Sequence, residues 1–160
     1  MKSQRGFSLI ELLIVVAIIL VIAAIAIPNL LRSRMAANES SAVGSVRTIT
    51  TAEITYQTTY PSLGYTCFLP WLGPPPNMGN PTQFRAGLID NQLSTGKKSG
   101  YQVQLSGCSM MIPNSTYRID ATPSVIGSSG NRGFCSDPSA VISFSPDGVP
   151  ANCVVGGNTL

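Results

Sequence analysis

From Phe7 to Ile27 every residue of the chain is apolar except Ser8 and Glu11. About 20 apolar residues at 1.5 Å rise per residue cover the roughly 30 Å hydrocarbon core of a bilayer, so this run is a candidate membrane helix. It is too long and too uniformly apolar for an ordinary surface helix. Glu11 is the anomaly within it. An acidic side chain inside a membrane span costs about 3 kcal/mol or more, and such a residue is by default a functional-site hypothesis.

The residues before Glu11 give it a context. Lys2 and Arg5 form a short basic head, followed by Gly6 and Phe7. The string Gly6-Phe7-Ser8-Leu9-Ile10-Glu11-Leu12-Leu13-Ile14-Val15 closely resembles the prepilin signature of type IV pilins and type II secretion pseudopilins, with a dense match through Pro28 to Leu31. The resemblance implies that residues 1–6 are a leader, that a membrane peptidase cuts between Gly6 and Phe7, and that the same enzyme methylates Phe7. It also implies that Glu11 is the glutamate used in filament assembly, facing the new amino terminus of a neighbouring subunit.

A physical reason stands beside the resemblance. A carboxylate in a low-dielectric setting needs a counter-charge, and a freed amine at Phe7 would supply one about a helical turn away. Two other readings compete. A secretory signal peptide would have a basic start, an apolar run and Ala24-Ile25-Ala26 as its cleavage site, but its apolar region is normally about 7–15 residues long and carries no embedded carboxylate. A plain membrane anchor would leave Glu11 unexplained. Lys2 and Arg5 on one side balance Arg32 and Arg34 on the other, so positive charge does not set the orientation.

With 160 residues the chain has room for one modest domain beyond this helix. Without Lys2 and Arg5, eight basic residues face seven acidic ones. That near-neutral balance predicts no nucleic-acid partner. Lys97-Lys98 reads as a solvated turn. Charged residues make up 11% of the chain, against 15 glycines and 12 prolines, which suits a loop-rich exported domain. The absence of histidine removes histidine-based triads and histidine-ligated metals. No nucleophile elbow, P-loop or HExxH string is present, so the chain is read as a non-enzyme with no cofactor.

The four cysteines Cys67, Cys108, Cys135 and Cys153 follow the apolar run, and none lies in a CxxC pair. An even number in an exported domain predicts two disulfides. Of three possible pairings, Cys67–Cys108 with Cys135–Cys153 is favoured, each contributing about 3–4 kcal/mol on a loop-entropy model. Cys135 as a nucleophile lacks a histidine to activate it. Major pseudopilins carry a calcium site near the C-terminus, and that resemblance makes Asp137, Asp147 and Asn152 weak calcium candidates. As residues alone they read as turn formers. Phe7, Tyr56 and Tyr60 at helical spacing read as packing, not as an electron path.

Pro28 removes one helix hydrogen bond and predicts a kink. Beyond it Leu31, Met35, Ala42, Val46, Ile49 and Tyr56 form one helical stripe, with Arg32, Arg34, Asn38, Glu39, Ser45 and Arg47 largely off it. One long kinked helix from Ser8 to Tyr60 is expected, stopped by Pro61. Pro70, Pro74, Pro75, Pro76 and Pro81 are expected to exclude regular structure from much of residues 61–100, apart from a short helix over Phe84–Leu93 closed by Gly96. Alternation predicts strands at Tyr101–Leu105, Thr116–Ala121 and Ala140–Ser145, with a turn at Ser145-Pro146-Asp147-Gly148. These three strands are expected as an antiparallel meander with one face on the helix and one to solvent. The stretches Lys98-Ser99-Gly100-Tyr101, Tyr117–Pro123 and Arg132–Asp137 also look like the globular part of many bacterial pilin-like proteins.

The expected fold is therefore α+β and pilin-like: a leader at 1–6, a transmembrane and filament-core helix at 7–28, and an exported globular domain at 29–160. The resemblance implies a structural subunit of a type IV pilus, used in motility, adhesion, DNA uptake or a related surface function. It implies residence in the inner membrane before assembly and in a surface pilus or periplasmic pseudopilus afterwards. Its implied partners are copies of itself or related subunits, the prepilin peptidase and methyltransferase, the inner-membrane assembly machinery, and lipid. The alternatives are a type II secretion pseudopilin and an anchored domain that never polymerises.

Overall fold

The computed structural model describes residues 7–109, 111–154 and 157–160. Helix α1 covers Leu9–Thr59 and contains Pro28. Two short helices follow, α2 (Leu69–Leu72) and α3 (Asn91–Ser94). Five strands come after them: β1 (Lys97–Lys98), β2 (Tyr101–Ser106), β3 (Arg118–Pro123), β4 (Gly133–Ser136) and β5 (Ser143–Ser145). The chain divides into two compact units between Arg34 and Met35.

In the first unit α1 is apolar all round as far as Ile27 apart from Glu11, and its large apolar side chains are exposed on every side. In the second unit α1 becomes amphipathic. Ala42, Val46, Ile49, Ala52 and Tyr56 are buried and share one core with Tyr101, Val103, Tyr117, Ile119, Ala121 and Phe134. Serine and threonine are mediocre helix formers, so this half of the helix is held by packing.

The strands form one antiparallel sheet in the order β1-β2-β3-β4-β5. Strand β1, at the lysine pair that reads as a turn, and strand β4 both lie in regions not expected as strands, so the meander has five members in place of three. The register aligns Val103, Ala121, Phe134 and Phe144 in one cross-strand row, which belongs to the core. The adjacent row is Gln104, Asp120, Cys135 and Ser143, on the opposite face. That face is not left to solvent as expected. Asp120, Cys135 and Ser143 are buried, because the C-terminal segment covers them. Cys153 is bonded to Cys135, and the Arg118 guanidinium donates to the carbonyls of Pro150 and Cys153 at 2.8 and 2.6 Å.

The connection before the sheet also departs from expectation. Of the expected Phe84–Leu93 helix only residues 91–93 are helical, as part of α3. Gly87 takes a φ of +69°. Residues Ala86–Ile89 instead donate their N–H groups to the carbonyls of Trp71, Gly73 and Leu72 at 2.7–3.1 Å. The Asp90 carboxylate caps α3 by accepting the Leu93 N–H at 2.8 Å. Prolines do not exclude α2, since Pro70 sits in its first turn, where no N–H is needed. Gly64, at φ +79°, lies so close to the backbone of Asn114 that a side chain there would collide with it.

Candidate functional site

At the start of α1, Leu9 is the first helical residue and Glu11 the third. The Ser8 N–H donates to Glu11 Oε2 at 2.9 Å. This is one arm of a capping box: the acid at the third position satisfies an N–H that the helix leaves unpaired, and its charge is favourable at the positive end of the helix dipole. The carboxylate is thereby held at the backbone nitrogen one residue after Phe7. Phe7 is 74% exposed. Gly6 and the rest of residues 1–6 lie outside the described residues.

Behind this cap the helix offers a continuous apolar surface. Leucine, isoleucine and valine side chains from Leu9 to Leu31 are exposed, and none of the most apolar 18-residue stretch is buried. By length and composition this part of α1 is able to cross a membrane. Leu9, Leu12, Leu13, Val16 and Leu20 rim a shallow groove together with the smaller Ala17, a shape that receives the side-chain ridge of another helix. An apolar face of this extent marks a lipid or protein contact. Pro28 has no N–H to donate to the carbonyl of Ala24.

In the second unit α1 carries two further glutamates that sequence reasoning does not single out. Glu39 and Ser45, expected off the stripe, are both buried. Glu39 Oε1 accepts the N–H groups of Asn131 and Arg132 at 2.9 and 3.2 Å, and Oε2 accepts Arg132 Nε at 2.8 Å. The Arg132 guanidinium also lies over the rings of Phe134 and Phe144, 5.4 and 5.3 Å from their centroids. Burial raises the Glu39 carboxyl pKa, but these N–H groups and the guanidinium outweigh it and hold the carboxyl below its ordinary value. Glu53 is fully buried, and burial pushes its carboxyl up to about 8, against the opposing effect of the Thr66 N–H. Both positions are signalled by spacing. Met35, Glu39, Ala42, Val46, Ile49, Glu53 and Tyr56 alternate in steps of four and three, so each glutamate fills a gap in the apolar stripe.

The structure bonds Cys67 to Cys108 and Cys135 to Cys153, with Cα–Cα distances of 6.0 Å in both. The Asp137 carboxylate accepts the Ser139 N–H. Asp147 accepts from the Val149 N–H and from the Asn152 amide. Each of these acids is engaged in its own turn. Among the described residues no group of three or more His, Cys, Asp or Glu side chains is placed to hold a metal ion. Lys98 pairs with Asp90 at 2.8 Å. Tyr56 and Tyr60 have ring centroids 5.0 Å apart, and the buried Tyr56 donates its hydroxyl to the Gln83 carbonyl, which is a packing role.

The family model described as "Prokaryotic N-terminal methylation motif" matches residues 1–27. The chain is similar to the "Type IV major pilin protein PilA" of Myxococcus xanthus, at 30% identity over 146 residues, covering 91% of this chain and 60% of that protein. It is also similar to the "Type IV wide pilus major component PilA4" of Thermus thermophilus, at 58% identity over 40 residues, covering 25% of this chain and 30% of that protein. In both cases the chain spans less than two thirds of the relative's length. No solved structure matches the chain.

Proposed function

We propose that this chain, which carries the prokaryotic N-terminal methylation motif and is similar to type IV major pilins, is a structural subunit of a type IV pilus filament. The observation that carries this reading is the bare apolar half of α1 with a carboxylate at its first turn. Burying roughly 15 large apolar side chains at about 1.5–3 kcal/mol each gives a strong drive out of water. Lipid and a core of packed helices satisfy that drive about equally, so a single charge interaction decides between them.

In the proposed sequence, residues 1–6 are removed as a leader and the amine of Phe7 is freed and methylated. Residues 7–28 hold the subunit in the inner membrane, with residues 29–160 on the far side. Glu11, whose carboxylate already reaches the Ser8 N–H, turns to the amine of a neighbouring copy as that copy enters the filament. The hydrogen bond missing at Pro28 is where α1 bends to fit. The processing peptidase and the membrane assembly machinery are the remaining partners, and the surface pilus is the destination. Both relatives are named as pilus components, which favours a pilus over a secretion pseudopilus.

The test is Glu11→Leu, followed by mass spectrometry of the amino terminus and electron microscopy of surface fibres. The expected result is a protein that starts at a methylated Phe7 and stays in the membrane without forming fibres. Normal fibres from this variant, or a native protein that retains residues 1–6, would refute the reading.

A further inference from the structure

Glu53 is a fully buried acid on the core stripe of α1. Its Oε2 accepts the N–H of Thr66 at 2.9 Å, and among the described residues its Oε1 has no hydrogen-bond partner. The groups that act electrostatically with Glu53 are the phenols of Tyr56 on α1 and Tyr117 at the entry to β3. Among the described residues the cations in ion pairs are Lys98, Arg118 and Arg132, and none of them pairs with Glu53. Two glutamates on one helix stripe thus have opposite settings: Glu39 has a guanidinium, and Glu53 has only a backbone N–H.

A protonated carboxyl fits this setting. It buries no charge and still offers an oxygen to the Thr66 N–H. An ionised one leaves a charged oxygen without a partner in the core. The cover over Glu53 on the Thr66 side is the non-helical connection from Tyr60 to Cys67. Besides the Cys67–Cys108 bond, Thr66–Glu53 and the Leu63, Gly64 and Tyr65 contacts with Asn114 and Tyr60 hold that connection. Helix α1 opposite it keeps its own backbone bonds, so the connection is the element that yields.

We propose that Glu53 is a proton-dependent latch: with its proton it fastens the Tyr60–Cys67 connection to α1, and on losing the proton to solvent it releases that connection. The direction of the pH effect follows from burial. The carboxyl titrates near 4.5 in the unfolded chain and near 8 in the fold. Between those values the fold holds one more proton than the unfolded chain, so stability is full below 4.5 and falls as pH rises towards 8.

The test compares full-length protein and Glu53→Gln in detergent micelles by denaturant unfolding from pH 5 to pH 9. The ratio of wild-type to variant folding constants is expected to fall about tenfold per pH unit between pH 5 and pH 8, then level off. Hydrogen exchange over residues 60–67, corrected for its intrinsic pH dependence, should lose protection in the same window in wild type only. Parallel pH profiles for the two proteins, or protection lost evenly across the sheet, would overturn the latch. A second readout covers a variant that fails to fold. The chain has three glutamates, Glu11, Glu39 and Glu53, so carbon-13 glutamate labelling of the wild type gives three carboxyl signals. In Glu11→Gln protein, one of the two remaining signals titrating near pH 8 supports the latch, and both titrating below pH 6 reject it.

Discussion

The two halves of α1 obey opposite rules. Before Arg34 the helix places leucine, isoleucine and valine outward on every side and buries none of its most apolar stretch. After Met35 it buries alanine, valine, isoleucine and tyrosine on one face, and sets two glutamates among them. The first half has more apolar side chains, and among the described residues none of them belongs to the buried core. The second has fewer and makes one wall of a core. Apolar content alone therefore does not say what is inside a folded chain. A core needs a partner surface. The sheet supplies it for the second half, and on the proposed reading lipid or other subunits supply it for the first.

Substitutions can break this contrast. The largest effect is expected for Ile49→Ala, which removes a fully buried side chain. It should destabilise the domain by about 3–4 kcal/mol in denaturant unfolding, from lost transfer energy and the cavity left behind. The matched change Ile19→Ala, on an exposed side chain, should leave that unfolding within about 0.5 kcal/mol of wild type. A large effect of Ile19→Ala on the isolated subunit would remove the distinction between the halves.

Glu39→Ala comes next. It strands the N–H groups of Asn131 and Arg132 and should cost about 2 kcal/mol. The ion pair itself adds little to that, because the Arg132 side chain is 39% exposed and solvent screens it. Its pH signature is the reverse of that of Glu53. The Glu39 carboxyl is held below its ordinary value of 4.5, so its contribution is present above that pH and is lost as pH falls through the folded value. Unfolding of wild type and Glu39→Gln should therefore converge under acid conditions. A gap between them that widens on acidification would contradict the assignment.

The smallest effect is expected at Thr51, which is exposed and donates its hydroxyl to the Arg47 carbonyl of its own helix. Thr51→Ala should stabilise the domain by about 0.5 kcal/mol, since alanine is the better helix former and the lost bond competes with the helix. Thermal unfolding resolves a change of that size, and a loss of stability would mean that this face of α1 carries a contact within the domain.

Much of the first half was legible in the sequence because its signals are local. The apolar run, the ends of α1 and the acid at its first turn are each decided by residues within a few positions of one another. The second face of the sheet was not legible. Strand β4, Gly133-Phe134-Cys135-Ser136, lacks alternation because both its faces are buried, by the core on one side and by the C-terminal segment on the other. The helix expected over Phe84–Leu93 does not form because backbone partners about 15 residues upstream prevail over the local preference. Glu39 and Glu53 stand at stripe positions, but a glutamate at such a position reads as an interruption until its partner is known.

By itself the sequence determined that this chain has a long apolar helix unable to satisfy itself, with one carboxylate placed at its first turn. Run length, residue type and spacing are enough for that, since hydrophobicity and helix geometry act over a few residues. Only the tertiary structure decided which buried glutamate is matched by a cation and which is not. That outcome depends on Arg132 and Thr66, one distant in the chain and one across a turn, being brought to the same helix face.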